Sequence, residues 1–156
     1  MPRVIHVQKA AKDYPDKGIK KGEAYYWWKF RYGPKMFSKT PPRQSQLTQS
    51  EFLGSMYDIE ERIQDLNAAA GFEAIESERD SIAEELRELA ESQDEKLNNM
   101  PESLQQGSTG ELLDERRQNA EEMADSLEGV ELDSEMDQED MESAVDEMRQ
   151  VSYNGS

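Results

Sequence analysis

The sequence predicts an α+β fold: a small N-terminal antiparallel β-ribbon followed by acidic α-helical segments arranged as a hairpin or coiled coil. Three observations carry this expectation. Aromatic residues crowd the start of the chain, above all in "YYWWKFRYGPK" at residues 25–35, and aromatics favour strands. Behind residue 50, apolar residues recur at alternating steps of four and three, the seam of a helix that buries one stripe. Charge divides at the same place: residues 1–50 hold eleven Lys/Arg against three Asp/Glu, and residues 51–156 hold seven against thirty-two.

Taken in order, "PRVIHVQ" alternates and reads as a short strand. Pro15, Gly18 and Gly22 punctuate the turn-rich stretch behind it. The 25–32 run and "KMFSKT" form a two-stranded ribbon around Gly33-Pro34, and Pro41-Pro42 closes the head. Thr48 with Glu51 has capping-box spacing and opens a helix over 48–70, with Phe52, Met56, Ile59, Ile63 and Leu66 on its seam. Gly71 ends or bends that helix. The seam resumes through Ile75, Ile82, Leu86, Leu89 and Leu97, and Pro101 ends it. Ser108 with Glu111 predicts a second capping box, and the helix it opens carries Leu113, Ala120, Met123, Leu127 and Val130 up to Gly129. A last helix over 137–150 carries Met141, Val145 and Met148. The expected organisation is a head (1–47), a heptad-patterned hairpin (48–100), a linker (101–110) and an acidic, partly disordered tail (111–156).

Composition excludes several classes. Charged residues reach 34% against 35% hydrophobic, which is thin for one well-filled core. There is no long apolar run, so neither a membrane span nor a secretory signal is expected and the chain reads as soluble and intracellular. Zero Cys removes disulfides, thiol nucleophiles and the usual structural zinc site. His6 has no evident carboxylate partner in sequence, and no phosphate loop, dinucleotide fingerprint or HExxH occurs. "DSEMDQEDMESA" begins like a calcium loop but has Gln138 where glycine is required and Ala144 where the bidentate glutamate belongs. No enzyme, metal or cofactor is implied.

Alternation along the aromatic run places Tyr26, Trp28, Phe30 and Tyr32 on one face, expected to bury against the Phe52/Met56 end of the helix. It places Tyr25, Trp27, Lys29 and Arg31 on the other, with Lys35 extending the basic track. Rings beside cations suit stacked bases and phosphates of single-stranded nucleic acid. The same residues equally suit a protein-binding surface or half of a small core.

The stretch "VIHVQKAAKDYPDKGIKKGEAYYWWKFRYGPKMFSKT", with "SQLTQSEF" and an acidic helical tail behind it, resembles a set of small proteins of tailed bacteriophages. The resemblance covers roughly the first 60 residues and implies a phage or prophage origin and a zinc-ribbon-like head. Some members carry cysteine pairs before "IKKGE" and after the second strand; this chain has none, so packing and hydrogen bonds must hold its turns.

About one residue in three after position 50 is acidic. Carboxylates in rows along helices imitate duplex phosphates, which would make the chain a DNA mimic engaging a basic groove of a host or defence protein in the host cytoplasm. Arg62, Arg79, Arg87, Arg116 and Arg117 weaken that row, and solvated faces with i,i+4 ion pairs explain it as well. The seam serves either a homodimer, making an oligomeric structural component, or an intramolecular hairpin with residues 82–89. A phage-type accessory protein with acidic helices as its working surface is the leading expectation. A single-strand-binding head with an acidic regulatory tail is the alternative.

Overall fold

Three short strands, Ile5–Val7 (β1), Tyr25–Lys29 (β2) and Lys35–Ser38 (β3), pair antiparallel in the order β1-β2-β3. The ribbon is therefore three-stranded, because the N-terminal strand also joins β2. The register sets Ile5 opposite Trp27 and Val7 opposite Tyr25. On the other side Trp27 faces Phe37, and Lys29 faces Lys35. β2 stops at Lys29, and the chain turns through Phe30–Gly33, where the Gly33 amide donates to the Phe30 carbonyl at 3.3 Å.

The loop between β1 and β2 folds back on the sheet. The Ala10 amide donates to the Glu23 carbonyl and the Gly22 amide to the Ala10 carbonyl, at 2.8 and 2.9 Å. Inside that closure Tyr14 bridges to Ile19 around a 3₁₀ turn at Pro15–Lys17, which Gly18 leaves at φ +66. Two carboxylates hold the remaining amides: Asp13 accepts from Lys21 and Glu23 accepts from Lys20. Backbone and carboxylate hydrogen bonds thus fasten turns that carry no cysteine.

The computed structural model describes residues 1–156 and separates into two compact units, Met1–Tyr57 and Asp58–Ser156. The boundary falls inside Glu51–Gln64 (α1). Ser50 holds the helix start, its hydroxyl accepting from the Leu53 amide, while Thr48 accepts from Ser50. The predicted Thr48/Glu51 box is displaced by two residues, because Ser50 stands nearer the first turn. α1 also ends at Gln64 rather than near residue 70. Asn67 accepts from the Ala69 amide and shapes a separate 3₁₀ turn, Ala68–Ala70, and Gly71 follows at φ +93, where side chains are strained.

The second unit holds Phe72–Asn98 (α2), Glu102–Gln105 (α3), Ser108–Glu128 (α4) and Gln138–Arg149 (α5). α2 and α4 lie side by side, and their cross-links run in opposite chain directions. Arg79 donates to the Val130 carbonyl, Arg87 bonds Asp125 and Glu128, and Arg117 approaches Asp94. The main hairpin is therefore α2–α4, not the expected pairing of the 56–66 seam with residues 82–89. α2 runs 27 residues without a break, so its apolar stripe needs a long partner, and α4, at 21 residues, is the next longest helix. Ile75, Ile82, Leu86, Ala90 and Gln93 of α2 are buried, as are Leu113, Ala120, Met123 and Leu127 of α4. Each fully buried Ile or Leu contributes about 1.5–3 kcal/mol. Leu89 and Leu97 are only half-buried, because the buried line drifts to Ala90 and Gln93.

The segment expected to link the halves contains α3, and no side chain caps α4: its N-cap residue is Gly107, and Ser108 is already helical. α3 packs so closely on α4 that a Cβ on Gly110 would sit 1.9 Å from the Gln105 carbonyl oxygen. α5 is capped by Asp137, which accepts from the Asp140 amide, and buries Met141, Ala144, Val145 and Met148. The tail past α5 is held to its own unit: the Tyr153 amide donates to Glu60 at 2.6 Å, and Arg116 donates to the Ser156 carbonyl.

Candidate functional site

The head gives two of its predicted site residues to a core. Tyr25 is buried with Ala10 and Ile19, and Val7, Tyr14, Trp27 and Phe37 pack around them. Three rings of this cluster stand 5.4–5.9 Å apart: Tyr14 on Tyr25, Tyr14 on Phe37 and Tyr25 on Phe37. Burial, with the Tyr14 hydroxyl as hydrogen-bond partner, pushes the Tyr25 hydroxyl above its usual pKa. The face expected to stay open at Tyr25 is thus covered, since the β1–β2 loop folds over it. The signal in the sequence is faint: Ile19 is the lone large aliphatic in that loop.

Cations lie on the outer surfaces of these rings. Lys35 stands 4.3 Å from the Trp27 ring, Lys12 5.3 Å from Tyr14, and Lys17 5.8 Å from Phe37. Trp27 and Lys35 therefore meet each other. The opposite face of the sheet holds His6 stacked on Tyr26 at 4.4 Å, and a buried Trp28. The other members expected to share burial there diverge, because strand geometry ends at Lys29: Phe30 is half-buried, and Tyr32 is 88% exposed at the turn.

Lys29 and Arg31 end up together by a different route. With Phe30 between them they form one wall of a cleft of about 640 Å³, closed on the other side by Thr48 and by Leu53 and Tyr57 of α1. No carboxylate lies within 4 Å of Lys29 or Arg31, whereas Lys39 pairs with Glu23 at 3.4 Å. The Arg31 guanidinium instead rests 5.3 Å over the Tyr32 ring. Sequence periodicity missed Leu53 and Tyr57, which stand one turn apart on α1 but off its seam. The seam itself is spent: Phe52, Met56, Ile59, Ile63 and Leu66 are 0–5% exposed in a single chain. A dimer through them would have to open the fold.

In the helical unit the arginines are drawn into ion pairs. Arg62 bonds Glu78 and Glu85 of α2 at 2.8 and 2.6 Å, and both carboxylates raise its guanidinium pKa above the usual value. Arg87 spans to α4, and Arg117 pairs with Asp114 and Glu121 along α4 itself. Arg149 donates to the Leu66 carbonyl and pairs with Asp146, fastening α5 beside the end of α1. Exposed Glu84, Glu88, Glu91 and Glu95 then line the side of α2 opposite its buried stripe. At 1.5 Å per residue this row is roughly 16 Å long. No three of the chain's carboxylates and its histidine converge into a metal-sized site, and no helix is long and apolar enough to cross a membrane. No known family model, curated protein or solved structure matches the chain.

Proposed function

We propose that the chain is a non-enzymatic accessory protein of bacteriophage type, working in the host cytoplasm by presenting its acidic helices to a basic groove of a host or defence protein. The observation that carries this reading is the row Glu84, Glu88, Glu91 and Glu95 on a helix whose neighbouring arginine, Arg87, bonds away from it to Asp125 and Glu128. Asp58–Ser156 holds thirty-one acidic against seven basic residues, so its own cations cannot neutralise it. Four carboxylates in roughly 16 Å stand about 5.5 Å apart, about three-fifths of the linear charge density of one DNA strand, which has about one phosphate per 3.4 Å. A groove built for duplex phosphates would accept such a row, and the field of the whole unit would steer the encounter.

The test is capture of host proteins by the full chain, with duplex DNA as competitor. The expected result is retention of cationic, nucleic-acid-binding proteins that duplex DNA displaces. The four-site variant Glu84→Gln, Glu88→Gln, Glu91→Gln and Glu95→Gln should lower retention at least tenfold. Equal retention by the variant, or a bound set that duplex DNA leaves in place, would overturn the reading.

A further inference from the structure

Lys29 and Arg31, like most cations of the head, form no ion pair, but these two share the wall of one cleft. The chain has thirty-five acidic residues against eighteen Lys/Arg, yet neither of these cations has a carboxylate within reach. They instead flank Phe30 on the wall of the 640 Å³ cleft, a size that admits a small ligand or one inserted residue of a polymer. Facing them, Tyr57 and Leu53 supply an apolar wall. The Thr48 hydroxyl oxygen already accepts from the Ser50 amide, at 3.1 Å, which leaves its proton for an acceptor in the cleft.

Just outside, the ring-and-cation arrangement repeats. Tyr32, 88% exposed, carries Arg31 over its ring, and Trp27 carries Lys35, which pairs across the ribbon with Lys29. A ligand that alternates anions with flat apolar groups at short intervals uses all of these at once. An acidic peptide supplies the charge but has no planar group to repeat along the row of rings.

We infer that the Lys29/Arg31 cleft binds single-stranded nucleic acid: one base enters against Phe30 and Tyr57, its phosphate lies between Lys29 and Arg31, and the next base stacks on Tyr32. The site uses the end of the hairpin and the first turns of α1, not the Tyr25 face, which is filled by its own core. It is separate from the acidic row of α2, so either assignment can fail without the other.

The experiment is fluorescence anisotropy of fluorescein-labelled (dT)10 with the full chain in about 50 mM salt, where phosphate contacts are strong. Lys29→Glu with Arg31→Glu should weaken binding at least tenfold. Lys17→Glu with Lys20→Glu makes the same charge change elsewhere in the head and should stay within about twofold. Tyr57→Leu keeps the apolar wall but removes the ring, and should cost about fivefold or more, the range for one stacked base. Tryptophan emission checks that each variant keeps the head folded. Failure of the wild type to bind, or equal losses from both charge pairs, would overturn the site. Equal competition by duplex DNA would overturn single-strand insertion, and tighter binding of a labelled acidic peptide would reassign the cleft to a protein partner.

Discussion

In the head, three rings of one small cluster carry a lysine over the ring face: Trp27 under Lys35, Tyr14 under Lys12, Phe37 under Lys17. In the helical unit the rings are nearly gone. Ten of the chain's twelve aromatics lie before residue 58, and only Phe72 and Tyr153 follow. There the core is Ile, Leu, Met and Ala in narrow stripes, and arginines strap the helices together from outside. Both units have few apolar residues to bury, and each edges its core with long basic side chains whose stems cover apolar surface. The difference lies in what those cations meet. Lys12, Lys17 and Lys35 of the head meet ring faces, which leaves their charge uncompensated and the unit basic. Helical arginines meet carboxylates, which consumes their charge and leaves the surplus acid outside.

The largest test of this comparison is on the helical side. Leu86 is wholly buried on α2, and Leu86→Ala should destabilise that unit by about 3–4 kcal/mol through lost transfer energy and a residual cavity. Both tryptophans lie in Met1–Tyr57, so their emission reports the head while far-UV circular dichroism reports mainly the helices. In a urea titration the dichroism midpoint should fall strongly and the fluorescence midpoint much less. Equal shifts in both would mean that one cooperative core serves the whole chain, and the contrast drawn between two cores would collapse.

Next in size is the head's use of a loop as a core wall. Ile19 is 1% exposed although it belongs to no strand or helix. Ile19→Ala should cost the head about 2–3 kcal/mol, read as an earlier tryptophan transition with little change in dichroism. A cost below about 1 kcal/mol would show that the loop merely lies on the sheet.

What could be read beforehand divides along the same line. Heptad periodicity located the buried residues of α1, α2, α4 and α5 closely, because a helix's buried stripe is a local property of spacing. It could not say which stripe faces which: pairing α2 with α4 depends on the length of α2 and on the turn at residues 65–71, where Asn67 ends one helical path before Gly71 begins another. In the head, alternation placed Trp28 inside and Lys29 outside correctly. It failed at Tyr25, because the loop leading into β2 folds Ala10 and Ile19 over that face, and at Tyr32, because the strand ended three residues earlier than the aromatic run. The cleft joins Lys29 and Arg31 to Tyr57 across a sequence gap that no local pattern bridges.

The smallest expected effect concerns Glu23, which ties the basic loop shut. Its carboxylate accepts from the Lys20 amide at 3.1 Å and pairs with Lys39 at 3.4 Å. The amide hydrogen bond, then Lys39, holds its pKa below the usual carboxylate value. A carboxyl group more acidic in the folded state than in the unfolded one stabilises the fold fully above the unfolded value. That contribution is lost as pH falls through the lowered one. The head should therefore shed a small increment of stability as pH drops below about 4.5, and Glu23→Gln should lack that increment while matching the acidified wild type. Tryptophan-monitored melting at several pH values between about 3 and 7 reads the difference. A Glu23→Gln variant that tracks the wild type in parallel over the whole range would show that Lys39 and the loop amide do not depend on this charge, and that packing and the remaining hydrogen bonds hold the head's turns.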